Sequence, residues 1–122
     1  MNILVVDDSA MIRRIIISGL RKDGYESANM VEAGDGVEAL EAVDAYDFDL
    51  ILSDINMPNM GGLEFVREVR QRPECDGVPI VMVTTETAGS VASDAFVAGA
   101  TEFIKKPFTV EKLHEILEKI FE

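Results

Sequence analysis

Apolar residues along this chain fall into two rhythms. Short unbroken runs occur at "ILVV" (3–6), "LIL" (50–52), "IVMV" (80–83) and "FI" (103–104), with a weaker one at "NMV" (29–31). Unbroken rather than alternating apolarity marks strands covered on both faces. Between the runs, apolar positions repeat at helical spacing. Ile12, Ile15, Ile16 and Leu20 share one face, as do Leu63, Val66 and Val69, and then Val110, Leu113, Ile116, Leu117 and Ile120. Boundary signals agree with these periods: Asp35 with Glu38 reads as a capping pair, Thr109 as an N-cap, and Gly24 and Gly99 suit helix C-termini. Five βα units fit the chain. The pattern predicts an α/β fold, an open doubly wound parallel sheet with right-handed crossovers and helices on both faces. In such sheets ligands bind outside the carboxyl ends of the strands, where strand order reverses.

The residues that follow each run therefore matter most. Asp7 and Asp8 follow the first, Asp54 the third, Thr84 and Thr85 the fourth, and Lys105, Lys106 and Pro107 the fifth. Taken singly, each has an ordinary explanation. Asp7, Asp8 or Ser9 can cap the first helix, Thr84 can simply end a strand, Lys106 can be solvated, and Phe103 can be core. If these strand ends converge, three carboxylates share one small space, where mutual repulsion raises pKa values unless a cation neutralises them. Oxygen-only donors favour Mg2+, or Mn2+, over zinc. A hard cation beside a hydroxyl and an ammonium is phosphate-handling chemistry, with Asp54 as the candidate nucleophile.

Composition narrows the reading further. At 122 residues the chain is expected to form one domain. Its net charge of −12 opposes nucleic-acid binding, which demands lysine and arginine. No run approaches the roughly 20 apolar residues of a membrane span. Carboxylates follow the first apolar run and no basic segment precedes it, so a secretory signal is not expected and a cytoplasmic location is. Cys75, amid "RPECDG", reads as a bystander in a surface loop.

Four motifs, "VDDS" (6–9), "SDINMPNMGG" (53–62), "VTTE" (83–86) and "FIKKPF" (103–108), stand in an order and spacing that resembles the receiver domains of two-component response regulators, CheY-like chemotaxis regulators among them. The resemblance covers the whole chain. It implies a flavodoxin-like sheet of order 2-1-3-4-5 with five helices, and a single receiver domain over 1–122 with no output domain. It assigns phosphorylation to Asp54, and magnesium binding to Asp8, Asp54 and the backbone carbonyl of Asn56, with an indirect metal role for Asp7. The phosphate-contacting hydroxyl falls to Thr84, the ammonium to Lys106 through a cis bond to Pro107, a switching aromatic to Phe103, and tuning of hydrolysis to Asn56 and Glu86. Met57, Pro58 and Gly61 or Gly62 match the turn after the phosphorylated strand.

Partners implied by the resemblance are a CheA-like sensor histidine kinase, a flagellar motor switch protein or other output protein, and a phosphatase. The protein is expected to act as a monomer and to assist its own phosphorylation and dephosphorylation rather than turn over a substrate. Chemotaxis regulators often carry tyrosine where this chain has Phe103, which removes a hydroxyl from the partner surface. The "DGYESANMVEAG" stretch (23–34) is longer than usual and should change a loop, not the site. The nearest rival is a phosphorelay intermediate that passes its phosphoryl group to a histidine phosphotransfer protein. An aspartate-nucleophile phosphatase would resemble Asp-x-Asp, but position 56 is Asn. A flavodoxin-like FMN carrier needs a Ser/Thr/Gly-rich phosphate loop after the first strand, where "DDSAM" would repel phosphate without a metal.

Overall fold

Each apolar run forms a strand, and each amphipathic stretch a helix. The structure, a computed structural model, describes residues 1–85 and 89–122. In chain order the elements are β1 (Asn2–Val6), α1 (Ala10–Leu20), β2 (Asn29–Ala33), α2 (Gly36–Ala45), β3 (Leu50–Ser53), α3 (Gly62–Arg70), β4 (Ile80–Thr84), α4 (Gly89–Ala98), β5 (Glu102–Lys105) and α5 (Val110–Phe121). All strand pairs are parallel and the order is β2-β1-β3-β4-β5. Successive side chains of a strand point to opposite faces, and the two faces bury different helices. Ile3, Val5, Leu50, Leu52, Val81, Val83 and Ile104 pack on α1 and α5. Leu4, Val6, Ile51, Ile80 and Met82 pack on α2, α3 and α4.

The predicted boundaries hold where local chemistry sets them. Asp35 accepts a hydrogen bond from the Glu38 backbone, and the Glu38 carboxylate reaches back to the Gly34 N–H at 3.4 Å, so the capping pair extends one residue further than a standard box. Thr109 accepts from Lys112 N. Ser9 caps α1, accepting from Ile12 N. Gly24 and Gly99 have φ of 97° and 120°, conformations that other residues rarely adopt. At the start of the long 23–34 stretch, α1 leads into a π-helical turn (Arg21–Tyr25) that kinks at Asp23 and Gly24.

Cys75 departs from expectation. It lies in a 3-10 turn (Pro73–Cys75), but its side chain is buried beside Val43, Phe48, Ile51 and Val78, and burial raises its thiol pKa. Polar neighbours on either side hide the inward direction that one tight turn gives it.

Candidate functional site

The order β2-β1-β3 puts β1 and β3 side by side at the point where connections leave in opposite directions, and the crevice at their carboxyl ends brings together Asp7, Asp8, Asp54 and Lys106. Three backbone bonds extend the sheet pairing just past the strand ends. Asp7 N donates to Ala33 O at 3.1 Å, Asp54 N to Val6 O at 2.9 Å, and Lys106 N to Thr84 O at 2.7 Å. These side chains leave the sheet from fixed backbone, which is why they converge.

Carboxylate oxygens of Asp7, Asp8 and Asp54 all lie within 4.8 Å of one another, the one such acidic group among the described residues. Lys106 Nζ donates to Asp7 Oδ2 at 2.6 Å and lies 3.6 Å from Asp54 Oδ2. Asp7 is buried, Asp54 and Lys106 are each 12% exposed, and Asp8 faces solvent. Asp7 Oδ1 also accepts from Ser9 N at 2.9 Å, so this aspartate is fully engaged by protein groups. Asp54 Oδ1 accepts from Ile55 N at 2.8 Å, which leaves Oδ2 turned toward Lys106.

Burial raises the Asp54 pKa, Lys106 opposes the rise, and Asp7 adds to it. Two unit charges at this separation repel by roughly 3 kcal/mol at an effective dielectric of about 20. Three carboxylates against one ammonium leave two uncompensated negative charges, and the nearby Arg13 is already paired with Glu32 at 2.9 Å. A divalent cation cancels that residue of charge, and an all-oxygen donor set matches magnesium chemistry. The residues present therefore fit such an ion.

The pleat separates Thr84 from Thr85. Thr84 is buried and projects from the same face as Met82 and Phe103, with Phe103 one diagonal step away across the β4–β5 pairing. Thr85 is exposed, beside Ile12, Pro107 and Phe108 on the other face. Phe103 is half-buried against the α2–α4 side of the core. Lys105 is exposed, and the Lys106–Pro107 peptide is cis. Of the two turn glycines, Gly62 makes the close approach: a Cβ there would overlap the Asp54 carbonyl oxygen, whereas one at Gly61 would sit 3.2 Å from Ile55 O. Asn56 lies on the exposed rim of the site. Glu86 lies outside the described residues. His114, by contrast, sits on α5 and bonds Asp23, with no part in this cluster.

One contact was not anticipated from sequence. Asp35, legible as a cap, uses its second oxygen to accept from Asn59 Nδ2 at 2.7 Å, tying α2 to the loop that follows Asp54.

A sheet of this order, with paired carboxylates after β1, a third after β3 and a lysine after β5, defines an aspartate-centred signalling fold, and the chain belongs to the response regulator receiver domain family, matched over residues 3–118. It is 44% identical over 121 residues to the chemotaxis protein CheY1 of Helicobacter pylori, covering 98% of this chain and 96% of that one. The solved structure of the chemotaxis response regulator CheY4 of Vibrio cholerae superposes with a TM-score of 0.88 at 39% identity, covering 98% and 97% of the two chains. The receiver domain of the sensor histidine kinase PA1611 of Pseudomonas aeruginosa, solved with a magnesium ion coordinated in its active site cleft, gives a TM-score of 0.87 at 27% identity, over 99% and 98%.

Proposed function

We propose that the chain is a phosphoacceptor switch of chemotaxis, receiving a phosphoryl group on Asp54 from a sensor histidine kinase. The observation that carries this reading is the convergence of three carboxylates with Lys106 at the switch point of the sheet. The Oδ2 of Asp54, on the Lys106 side, forms the new P–O bond while the donor's bond to phosphorus breaks and its leaving group takes the electron pair. No proton moves on Asp54. Magnesium, held by Asp8, Asp54 and the Asn56 carbonyl, supplies charge neutralisation when bound. Asp7 keeps Lys106 in place, and the Lys106 ammonium and Thr84 hydroxyl stabilise the phosphoryl oxygens.

The mark is read through β4 and β5. Charge-assisted hydrogen bonds contribute roughly 1.5–3 kcal/mol each, so those from Thr84 and Lys106 supply at most about 3–6 kcal/mol, which only at its upper end reaches the roughly 5.5 kcal/mol for inverting a 1:99 equilibrium. The shift is thus partial until a partner binds. Thr84 and Phe103 share a face and a diagonal contact position, which supports their moving together and changing the surface of α4, β5 and α5. The flagellar motor switch is the output that fits the chemotaxis relatives. Hydrolysis of the mark is assisted from position 56.

Intact-mass measurement after incubation with magnesium and a small acyl phosphate tests the reading. Wild type should gain a single phosphoryl adduct, and Asp54→Asn none. An equal adduct on both proteins, or none on wild type, would overturn it; multiple turnover of phosphate esters would point to a phosphatase instead.

A further inference from the structure

We propose that Asp35 and Asn59 form a positioning pair, whose side-chain hydrogen bond holds the loop after β3 so that Asn56 faces the Asp8–Asp54 carboxylates. The proposal rests on the phosphoacceptor reading and extends it to residues outside the cluster. The loop is closed at its base by Gly62 N donating to Ile55 O at 2.8 Å, and at its tip by Met60 N donating to Pro58 O at 2.7 Å. Both bonds are internal to the loop, so neither fixes its tip against the rest of the fold. Two bonds to the start of α2 do: Asn59 Nδ2 to Asp35 Oδ2 at 2.7 Å, and Gly36 N to Met60 O at 3.0 Å. Gly36 permits the approach, since a Cβ there would lie 2.6 Å from the Met60 side chain and 2.8 Å from its carbonyl.

Residue types at both ends exceed what local structure needs. In capping α2, Asp35 Oδ1 takes Glu38 N at 2.9 Å, yet Asp35 is buried with Oδ2 bonded to Asn59. A serine would cap as well. Asn59 has φ of 64°, the left-handed region, where glycine, asparagine and aspartate are the usual occupants. Glycine there would lose the donor, and aspartate would set a carboxylate against a carboxylate. Asparagine alone of the three meets both demands. The anchor is itself tied to the site, because Ala33 O, two residues before Asp35, accepts from Asp7 N. One path of short bonds thus runs from Asp7 through the end of β2 to Asp35, Asn59 and the loop carrying Asn56.

Groups that orient metal ligands at one remove typically change metal affinity by about 10–100-fold when lost. This pair acts one step further out, through loop geometry. Magnesium titration followed by amide NMR is the test, with wild type, Asn59→Gly, Asp35→Ser and the double variant. Asn59→Gly keeps the backbone preference and Asp35→Ser keeps the cap. Each single variant should bind magnesium about 3–10-fold more weakly, with the Asn56 and Met57 amides shifted before any metal is added. The double variant should be no weaker than the worse single, as for two halves of one interaction. If Asn59→Gly fails to fold, Asn59→Asp supplies the same comparison by repelling Asp35. Magnesium affinity within twofold of wild type in either single variant, or losses that add in the double, would overturn the proposal. Wild type that shows no magnesium response at Asp8 and Asp54 would overturn the phosphoacceptor reading as well; wild-type binding with unaffected variants removes only the positioning pair.

Discussion

Asp54 follows a strand end to which its N–H is tied through Val6 O, and Gly62 is the residue that lets the following helix close over it. Helix propensity alone favours alanine at Gly62 by about 0.5–1 kcal/mol. A Cβ there, however, overlaps the Asp54 carbonyl oxygen and comes within 2.9 Å of Ile55 Cα, both backbone atoms with no rotamer to escape into. Overpacking of this kind typically costs about 1–3 kcal/mol, so the clash wins. Gly62→Ala should lower the urea midpoint by the equivalent of about 1 kcal/mol net of the propensity gain and reduce phosphoryl adduct formation, because relief of the overlap moves Asp54. Gly61→Ala brings a Cβ to 3.2 Å from Ile55 O, a tight contact short of overlap, and should cost under about 1 kcal/mol, chiefly as a poorer N-cap. Equal midpoints for the two variants would show that the carbonyl contact does not constrain the site. The sequence left Gly61 and Gly62 equivalent; only the turn geometry separates them. Thr84 and Thr85 are alike as neighbouring residues and only the family resemblance favours Thr84; the pleat puts Thr84 on the Phe103 face.

At the scale of elements, what the sequence made legible was what neighbouring residues determine. The buried runs became β1, β3, β4 and β5 with boundaries shifted by a residue or so. Strand β2 was weak in the sequence because it is an edge strand whose exposed Glu32 interrupts the apolar run, pairing with Arg13 instead. Contacts between distant segments left no local signal. The Asp35–Asn59 bond joins residues 24 apart and the His114–Asp23 bond residues 91 apart. The latter fastens α5 to the turn after α1, beside the Tyr25–Phe121 ring contact. His114 Nδ1 lies 2.6 Å from Asp23 Oδ1 and Nε2 lies 3.1 Å from Glu118 Oε2, so the imidazolium, with two donors, satisfies both carboxylates. The Asp23 hydrogen bond raises the His114 pKa above its ordinary value, and Glu118 adds to the rise. A base raised in the fold contributes stability that is complete below its unfolded pKa, near 6.5, and is lost as pH climbs through the higher folded value. Wild type should therefore exceed His114→Gln in urea midpoint at pH 6, and the gap should close as the pH rises above the folded pKa. A gap that stays constant from pH 5.5 to 9 would sink the latch as a titrating contact.

The whole molecule carries 23 acidic against 11 basic residues, for a net charge of −12, and two kinds of cation effect follow that one experiment can separate. A diffuse excess of surface charge repels itself and is relieved by any salt, as screening shortens to about 10 Å at 0.1 M. The Asp7–Asp8–Asp54 cluster is different, because its uncompensated charge is local, partly desolvated and sized for one divalent ion. An ion that binds only the folded state stabilises it by about 2.7 kcal/mol at a hundredfold excess over its Kd, or roughly 8–13 °C in Tm for a domain of this size. Thermal unfolding in magnesium chloride and in sodium chloride at matched ionic strength should differ by an amount of that order. Asp54→Asn should behave alike in both salts, while retaining the nonspecific rise with ionic strength. Its metal-free baseline should also lie above wild type at pH 7. A carboxylate whose pKa is raised in the fold is disfavoured once ionised, so its stabilising contribution belongs to low pH and is gone at neutrality, and a neutral amide is spared that cost. If wild type and Asp54→Asn respond identically to magnesium, the acidic crevice is only part of the diffuse surface charge, and the chemistry assigned to it fails with it.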